Sequence, residues 1–196
     1  MTVTPIGLIH ALAGRIRGIV SEIRMEESDG DHILRAPNVW EQTLPEKLYD
    51  EVPDPADYPF VRVVLGGGVG ITGGHMPCVV AIQVCGYDDG QPLPEDPSTM
   101  DHQGWLQPAA LAWRIITSLA VNPTIGPFAL DTENLSWDLP DFQDQPAPLW
   151  NGIITSTWSV PIPERDFNLG NIPTYFPPPC EAALKEDIRT FIEGDE

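Results

Sequence analysis

A glycine-rich stretch, GGGVGITGGH at residues 66–75, has the residue types and spacing that could bind a phosphate group. Gly68, Gly70 and Gly73 follow the G-x-G-x-x-G pattern of a dinucleotide- or ATP-binding loop, directly after the strand-like run FVRVVL. Asp88 lies about 20 residues further on, where such a loop has its ribose-binding acid. The chemistry to consider first is therefore nucleotide binding.

Nucleotide binding fails on the residues that follow the glycines. GHMP alone separates Gly73 from Cys78, where the strand-like run CVVAIQVCGY begins, so there is no room for the helix whose N-terminal amides bind a pyrophosphate. The P-loop ending Gly-Lys-Ser/Thr does not follow. VAIQ imitates the kinase motif VAIK but has Gln83 in place of the lysine, and the other kinase motifs are missing. We therefore predict a mobile hairpin tip whose glycines allow positive φ angles.

Other catalytic or metal-binding patterns are equally weak. The four histidines, at positions 10, 32, 75 and 102, are scattered along the chain. Asp101 and His102 could begin a metal or acid–base site, but no serine or cysteine nucleophile pattern accompanies them. The pairs Asp88-Asp89 and Glu95-Asp96 lie beside turn residues and are expected to be solvated loop charges, with a divalent-cation site as the alternative. We expect no enzyme, cofactor or metal; a small metal-dependent hydrolase is a distant alternative.

The three cysteines, Cys78, Cys85 and Cys180, do not form a C-x-x-C pair or a disulfide framework. Cys78 and Cys85 are separated by an odd offset within one predicted strand, so their side chains point to opposite faces and cannot bind one metal ion together. We expect buried free thiols.

Composition restricts the partners of this chain of 196 residues, in which 42% are hydrophobic and a core can be buried. Asp and Glu number 29 against 10 Lys and Arg, for a net charge of −19 and a pI near 4.2. Such a surface repels nucleic-acid phosphates and anionic membranes. Neither a membrane-length apolar segment nor a secretory signal pattern is evident, so the product is expected in the cytoplasm when it is made.

Two helices are predicted. Thr4 is suited to cap the first, Pro5 to occupy its first turn, and its apolar residues fall within an arc of about 120°. The second spans about Trp105 to Ala120, with Pro108 in its first turn. Because apolar positions cover most of its circumference, we expect this second helix to be largely enclosed.

Four strands are predicted, at 60–65, 78–87, 134–139 and 152–163. The last two alternate apolar and polar residues, which is typical of an antiparallel sheet with one wet face. We expect Leu135, Trp137 and Leu139 to point inward. The elements follow in the order helix, strand, strand, helix, strand, strand. This order predicts an α+β fold, in which the two main helices pack on one face of an antiparallel sheet of about four or five strands.

Two further regions are rich in turns. Residues 25–57 could hold a short strand or a helical turn around Trp40 and Leu48. The chain is expected to form a single α+β domain over residues 1–167. A proline-rich extended C-terminal arm with a short acidic helix should follow at residues 168–196.

The whole pattern resembles the tail-terminator, or tail-completion, proteins of long-tailed bacteriophages. An N-terminal helix precedes YPFVRV, a glycine-rich hairpin leads to VVAIQVCGYDDG, a second helix precedes NLSWDLPD, and the core closes on LWNGIITSTWSVPIP. The similarity covers about residues 4–165 and depends on element order and short apolar signatures. The 25–57 and 168–196 segments fall outside it.

The resemblance implies a structural virion protein that forms a hexameric ring at the head-proximal end of the tail. Such a ring is assembled in the host cytoplasm, caps the tail tube, ends its polymerisation and joins it to head-completion or connector proteins. DNA passes through the acidic lumen without specific binding, and no membrane is involved. The candidate contacts with other copies or partners are Gly68, Gly70, Ile71, Gly73 and His75 in the hairpin, and Tyr175 and Phe176 in the arm. Another neck or head-completion protein, or a tail-tube-like subunit, is the alternative.

Overall fold

The fold is described from a computed structural model of the chain. The residues that it describes are 3–22, 36–45, 48, 54–68, 70–88, 90–92, 95, 100–101, 104–139 and 148–162. The predicted C-terminal arm at 168–196, with Tyr175, Phe176 and Cys180, lies outside these residues, as do His32 and His102.

The described residues form two α-helices and eight strands: one helix is followed by five strands, and a second helix by three. In chain order they are α1 (Pro5–Val20), β1 (Asn38–Glu41), β2 (Phe60–Gly68), β3 (His75–Tyr87), β4 (Gln91–Pro92), β5 (Met100–Asp101), α2 (Leu106–Val121), β6 (Thr124–Ile125), β7 (Phe128–Asp138) and β8 (Leu149–Pro161). A short 3₁₀ turn at Pro55–Asp57 precedes β2. The α+β class and the four predicted strands are confirmed, with β2, β3 and β7 longer than the sequence pattern indicated.

The main sheet has six strands in the order β1-β2-β3-β8-β7-β6, and β4 pairs with β5 in a separate ribbon. The expectation of an antiparallel sheet of about four or five strands is wrong in two respects: the sheet has six strands, and β1 pairs in parallel with β2, so the sheet is mixed. A strand of four residues does not reveal its pairing direction, because that depends on the path of the chain between 41 and 60. The other pairings in the sheet are antiparallel.

The main core lies between one face of the sheet and both helices. The alternation in β3 places Val80, Ile82 and Val84 on this face, and β8 adds Ile154, Trp158 and Val160. Leu8, Leu12 and Ile16 of α1 and Leu111, Ile115 and Leu119 of α2 complete the core. The placement of both helices on one face is therefore correct.

A single buried polar side chain interrupts the inward face of β8. The Ser156 hydroxyl donates to the Val80 carbonyl at 3.1 Å and accepts from the Trp158 indole nitrogen at 3.0 Å. Both polar groups are thereby satisfied, so the large indole ring can be fully buried without an unpaired donor.

The opposite face of the sheet carries a smaller cluster around Tyr58, Phe60 and Cys85, against which Trp40 packs. Cys78 belongs to the main core and Cys85 to this second cluster, so the prediction that the two thiols point to opposite faces is confirmed. Both are free and buried. Burial raises the pKa of Cys85 to about 12, against the smaller opposing effect of Arg62, so its thiol stays protonated.

The two helices begin differently. In α1 the Thr4 side chain accepts from the Gly7 backbone N–H at 3.0 Å and Pro5 occupies the first turn, as predicted. At the start of α2, Trp105 makes no side-chain cap hydrogen bond, and Pro108 lies in the first turn. Thus α1 has a sequence-encoded start, whereas α2 begins where the chain leaves the short β5 strand.

Two expectations about burial are wrong. Helix α2 was expected to be largely enclosed, but Trp113 is 60% exposed and Val121 is 76% exposed. In β7, Trp137 was expected to point inward and is 42% exposed, while Leu135 and Leu139 are half-buried. The register between β7 and β8 shifts between Asp131 and Ser136, which disrupts the alternation on which the second expectation depended.

Candidate assembly surfaces

The glycine-rich stretch forms the end of the β2–β3 hairpin. The strands remain paired as far as Gly68 opposite Cys78, with a register shift between Leu65 and Gly67. Described residues from Gly66 to His75 are exposed, and Ile71 is 70% exposed. The hairpin therefore extends past the last core residues of β2 and presents backbone and one large apolar side chain to solvent.

Glycine is required at specific positions of this hairpin end. Gly67, Gly70, Gly73 and Gly74 all have positive φ angles, which other residues rarely adopt. The tip closes through two backbone hydrogen bonds between Thr72 and His75, at 3.0 and 3.1 Å. Its geometry is that of a turn between antiparallel strands, as the sequence predicted.

His75 is an exposed residue at the start of β3. Its ring nitrogen Nδ1 lies 3.1 Å from the Gly73 carbonyl, within the same turn. The neighbouring Gly74 carbonyl accepts from the Ile162 N–H at 2.8 Å, which ties the turn to the end of β8. The structure therefore brings Gly68, Gly70, Ile71, Gly73 and His75 together at one exposed end of the sheet.

Asp88 belongs to a turn. Its carboxylate accepts from the Gly90 N–H at 2.9 Å, where Gly90 has a φ of 84°, and its backbone carbonyl accepts from the Trp150 indole nitrogen at 3.2 Å. Gly104 packs directly on this arrangement, because a Cβ there would lie 2.2 Å from Trp150 Nε1. The acid at the spacing of a ribose ligand thus stabilises the loop after β3.

The Asp101-His102 pair is only partly placed. Asp101 lies in β5 and pairs with Gln91 of β4 through the backbone. His102 falls outside the described residues. Among the residues that the structure does describe, no cluster of three His, Cys, Asp or Glu side chains has the arrangement of a metal site.

Arg15 joins the two helices of the layer that covers the sheet. Its guanidinium donates to the carbonyls of Ser118, Asn122 and Thr124, at 2.8, 2.6 and 3.1 Å. The Ser118 and Asn122 carbonyls lie at the C-terminal end of α2, where a positive charge is favourable to the helix dipole, and Thr124 begins β6. Burial lowers the pKa of Arg15, but an arginine remains charged at neutral pH.

Between the helices lies an open groove of about 610 Å³, lined by Arg15, Gly18, Ile19, Glu22, Arg114, Thr117, Ser118, Val121 and Asn122. Arg114 forms an exposed ion pair with Glu22 at 3.3 Å on its rim. The Thr117 hydroxyl donates back to carbonyls of its own helix, so it brings no unpaired donor into the groove.

Helix α1 is also tied to the edge of the sheet. Glu41 of β1 forms ion pairs with His10 and with Arg17, the second at 2.7 Å. Although burial alone would raise the pKa of Glu41, the hydrogen bonds and charges of Arg17 and His10 outweigh it and lower that pKa. This contact positions the short parallel strand against the helix layer.

The exposed outward face of α2 is the feature that sequence reasoning missed. Its apolar residues were interpreted as contacts inside one chain, because a sequence pattern does not distinguish burial within a fold from burial between molecules. The signal that could have identified it is the number of apolar positions: a helix on one face of a sheet needs only a stripe of them.

No protein-family model matches the sequence, and no curated protein is significantly similar to it. Neither α1 nor α2 has the length and apolar character that a membrane-crossing helix requires.

Proposed function

We propose that this protein is a structural subunit of a bacteriophage tail, forming a hexameric ring that terminates the tail tube and joins it to head-completion proteins. The observation that carries the proposal is the element order. A helix, an extended hairpin, a second helix and a second long antiparallel pair follow one another, with both helices on one face of the sheet. This is the order on which the resemblance to tail terminators depends.

The extended β2–β3 hairpin supports an assembly role. Its exposed tip has backbone groups and Ile71 available for contact. It projects from the end of three paired strands, β2, β3 and β8. A hairpin of this kind is suited to lie across a neighbouring subunit or against the tube. In the assembled ring, we assign this contact to Gly68, Gly70, Ile71, Gly73 and His75.

The charge distribution is compatible with a ring around DNA. The chain carries −19, while neither helix contains an Asp or a Glu. The carboxylates that the structure describes therefore lie outside α1 and α2, where a ring could direct them toward its lumen. A negative lumen repels the DNA phosphates and releases few counterions, so DNA would pass without binding.

The first test measures the mass and shape of the purified protein. Size-exclusion chromatography with light scattering should give six times the mass of the chain, alone or after mixing with tail tube subunits, and negative-stain electron microscopy should show rings with a central opening. A chain that never exceeds a dimer under both conditions would contradict the ring.

The second test removes the hairpin tip. Replacing residues 69–77 by Asn-Gly joins Gly68 to its strand partner Cys78 through a two-residue turn, which removes the projection and keeps the β2–β3 register. We expect an unchanged circular dichroism spectrum with loss of rings or of tail joining. The matched control, Ile6→Ser, changes an exposed apolar residue at the start of α1 and should leave assembly unchanged. Normal tail joining by the tip deletion would remove the hairpin from the interface.

A further inference from the structure

The outward side of α2 presents an apolar surface that is interrupted by Thr117, whose hydroxyl donates to carbonyls of its own helix. At 100° per residue, Leu106, Ala110, Trp113, Ala120 and Val121 fall within an arc of about 100°, and all of them are exposed. A single exposed apolar residue needs no explanation, but a group of them on one helix marks a contact site. This surface is separate from the hairpin tip.

A protruding side chain lies next to an open groove on this surface. Trp113 projects from α2, and the groove of about 610 Å³ between α1 and α2 begins one residue further along, at Arg114. Gly18 on the α1 side leaves the groove open, because a Cβ there would meet nothing within 4 Å. A protrusion and a recess on the same surface are what a two-fold, self-complementary interface requires.

Charge favours a second copy of this chain as the occupant. Two chains of −19 repel each other, so they can associate only where carboxylates do not meet. Helix α2 has no Asp or Glu along its 16 residues, and Arg114 is its one charged residue. Glu22, the acid on the rim of the groove, is already paired with Arg114.

We propose that two copies of this chain associate through α2, with the helices antiparallel about a two-fold axis between Trp113 and Arg114. The spacing of the residues is symmetric about that axis. It places Leu106 opposite Val121, Ala110 opposite Thr117 and Trp113 opposite Arg114 of the second copy. Each indole then covers a guanidinium group of the other chain, a cation–π contact, and enters the groove beside it.

The size of the surface predicts a weak dimer. A 16-residue helix is about 24 Å long, and two helices side by side are about 20 Å wide. Each copy would therefore cover about 500 Å², and the total of about 1,000 Å² is at the lower end for a specific complex. We expect a concentration-dependent dimer with a dissociation constant of about micromolar order.

Sedimentation velocity over a dilution series tests the proposal. Trp113→Ala should raise the dissociation constant at least about tenfold, as expected for a central aromatic residue of an interface. The control is Trp137→Ala, which removes a comparably exposed tryptophan from β7 and should change the constant less than about twofold.

Disulfide cross-linking tests the arrangement. Ala110→Cys and Thr117→Cys are made as separate variants, each with Cys180→Ser, and are mixed under mild oxidation. The proposed register predicts a cross-link between the two variants in higher yield than within either one, because small residues at 110 and 117 allow the backbones to approach. The native Cys78 and Cys85 are buried and should not react.

Three results would overturn the proposal. In the first, the mass of the wild-type protein stays that of one chain at the highest concentration. In the second, the Trp113 and Trp137 substitutions weaken association equally. In the third, the cysteine at position 110 cross-links to its own copy in preference to the cysteine at 117. The proposal does not depend on the ring: a dimer can form through α2 whether or not the hairpin joins six copies.

Discussion

Helices α1 and α2 have the same length, cover the same face of the sheet and contain no carboxylate, yet their outward sides differ. The exposed side of α1 carries His10, Arg17, two glycines and one large apolar residue, Ile6, whereas that of α2 carries three large apolar residues, Trp113, Leu106 and Val121. Apart from Ile6 at its start, the apolar residues of α1 are buried or half-buried within one chain, and the fold explains their pattern. Helix α2 has more apolar residues than the fold uses, and this excess indicates a contact with another molecule.

The largest expected effect separates the inward from the outward sides of the two helices. Leu12→Ala in α1 and Leu111→Ala in α2 each truncate a fully buried side chain and should lower the free energy of unfolding by about 2–5 kcal/mol. Trp113→Ala should lower it by less than about 1 kcal/mol in dilute protein, because the indole is largely exposed. Urea denaturation measures all three. If Trp113→Ala were as destabilising as Leu111→Ala, the comparison would fail.

The next effect concerns the link between the helices. Arg15→Ala removes three hydrogen bonds to carbonyls at the end of α2 and the start of β6 and should lower the free energy of unfolding by about 1–2 kcal/mol. Arg114→Ala, which breaks an exposed ion pair, should cost less than about 0.5 kcal/mol. Thermal unfolding of the two variants, monitored by circular dichroism, gives the ranking. Equal effects would mean that Arg15 does not join the helices.

The side-chain cap at the start of α1, which α2 lacks, should contribute less to the free energy of unfolding than Arg15 does. Thr4→Ala removes the hydroxyl that accepts from the Gly7 N–H and should lower the free energy of unfolding by about 1 kcal/mol. Thr4→Ser keeps the acceptor and should be close to wild type in the same urea titration. A loss of stability in Thr4→Ser as large as in Thr4→Ala would assign the effect to the methyl group.

The smallest effect is the pH dependence of the contact between α1 and β1. Because the pKa of Glu41 is lowered in the folded state, its ion pairs stabilise the protein fully above the ordinary glutamate pKa and lose their effect as the pH falls through the lowered value. Glu41→Gln should therefore be less stable than wild type by about 0.2–1 kcal/mol at neutral pH. The difference should shrink as the pH falls below the ordinary glutamate pKa of about 4.3 and be lost below the lowered pKa of Glu41. A difference that persisted at pH 2 would have another cause.

Most of the helix layer and of the central sheet could be predicted from the sequence. The Thr4-Pro5 start and the apolar arc of α1 are local signals, and the β-branched residues of β3 determine its strand character. The positive-φ glycines at 67, 70, 73 and 74 were likewise interpretable as a hairpin end, because a second strand follows too soon for a helix.

The remaining features depend on residues far apart in the sequence. The parallel pairing of Asn38 with Phe60 follows from how the intervening chain returns to the sheet, and the exposure of Trp137 follows from the register shift before Ser136. Neither is encoded in a local pattern. The three acceptors of Arg15 likewise lie more than 100 residues away.

The sequence by itself determined the class of fold, the two helices, the four longest strands, the hairpin and the acidic charge, because hydrophobic periodicity, capping residues and glycine conformations act over a few neighbouring residues. The tertiary structure alone decided the parallel edge strand, the groove between the helices and which apolar side of α2 remains exposed. Those features depend on how completely one layer covers another, and that is a property of the packed molecule.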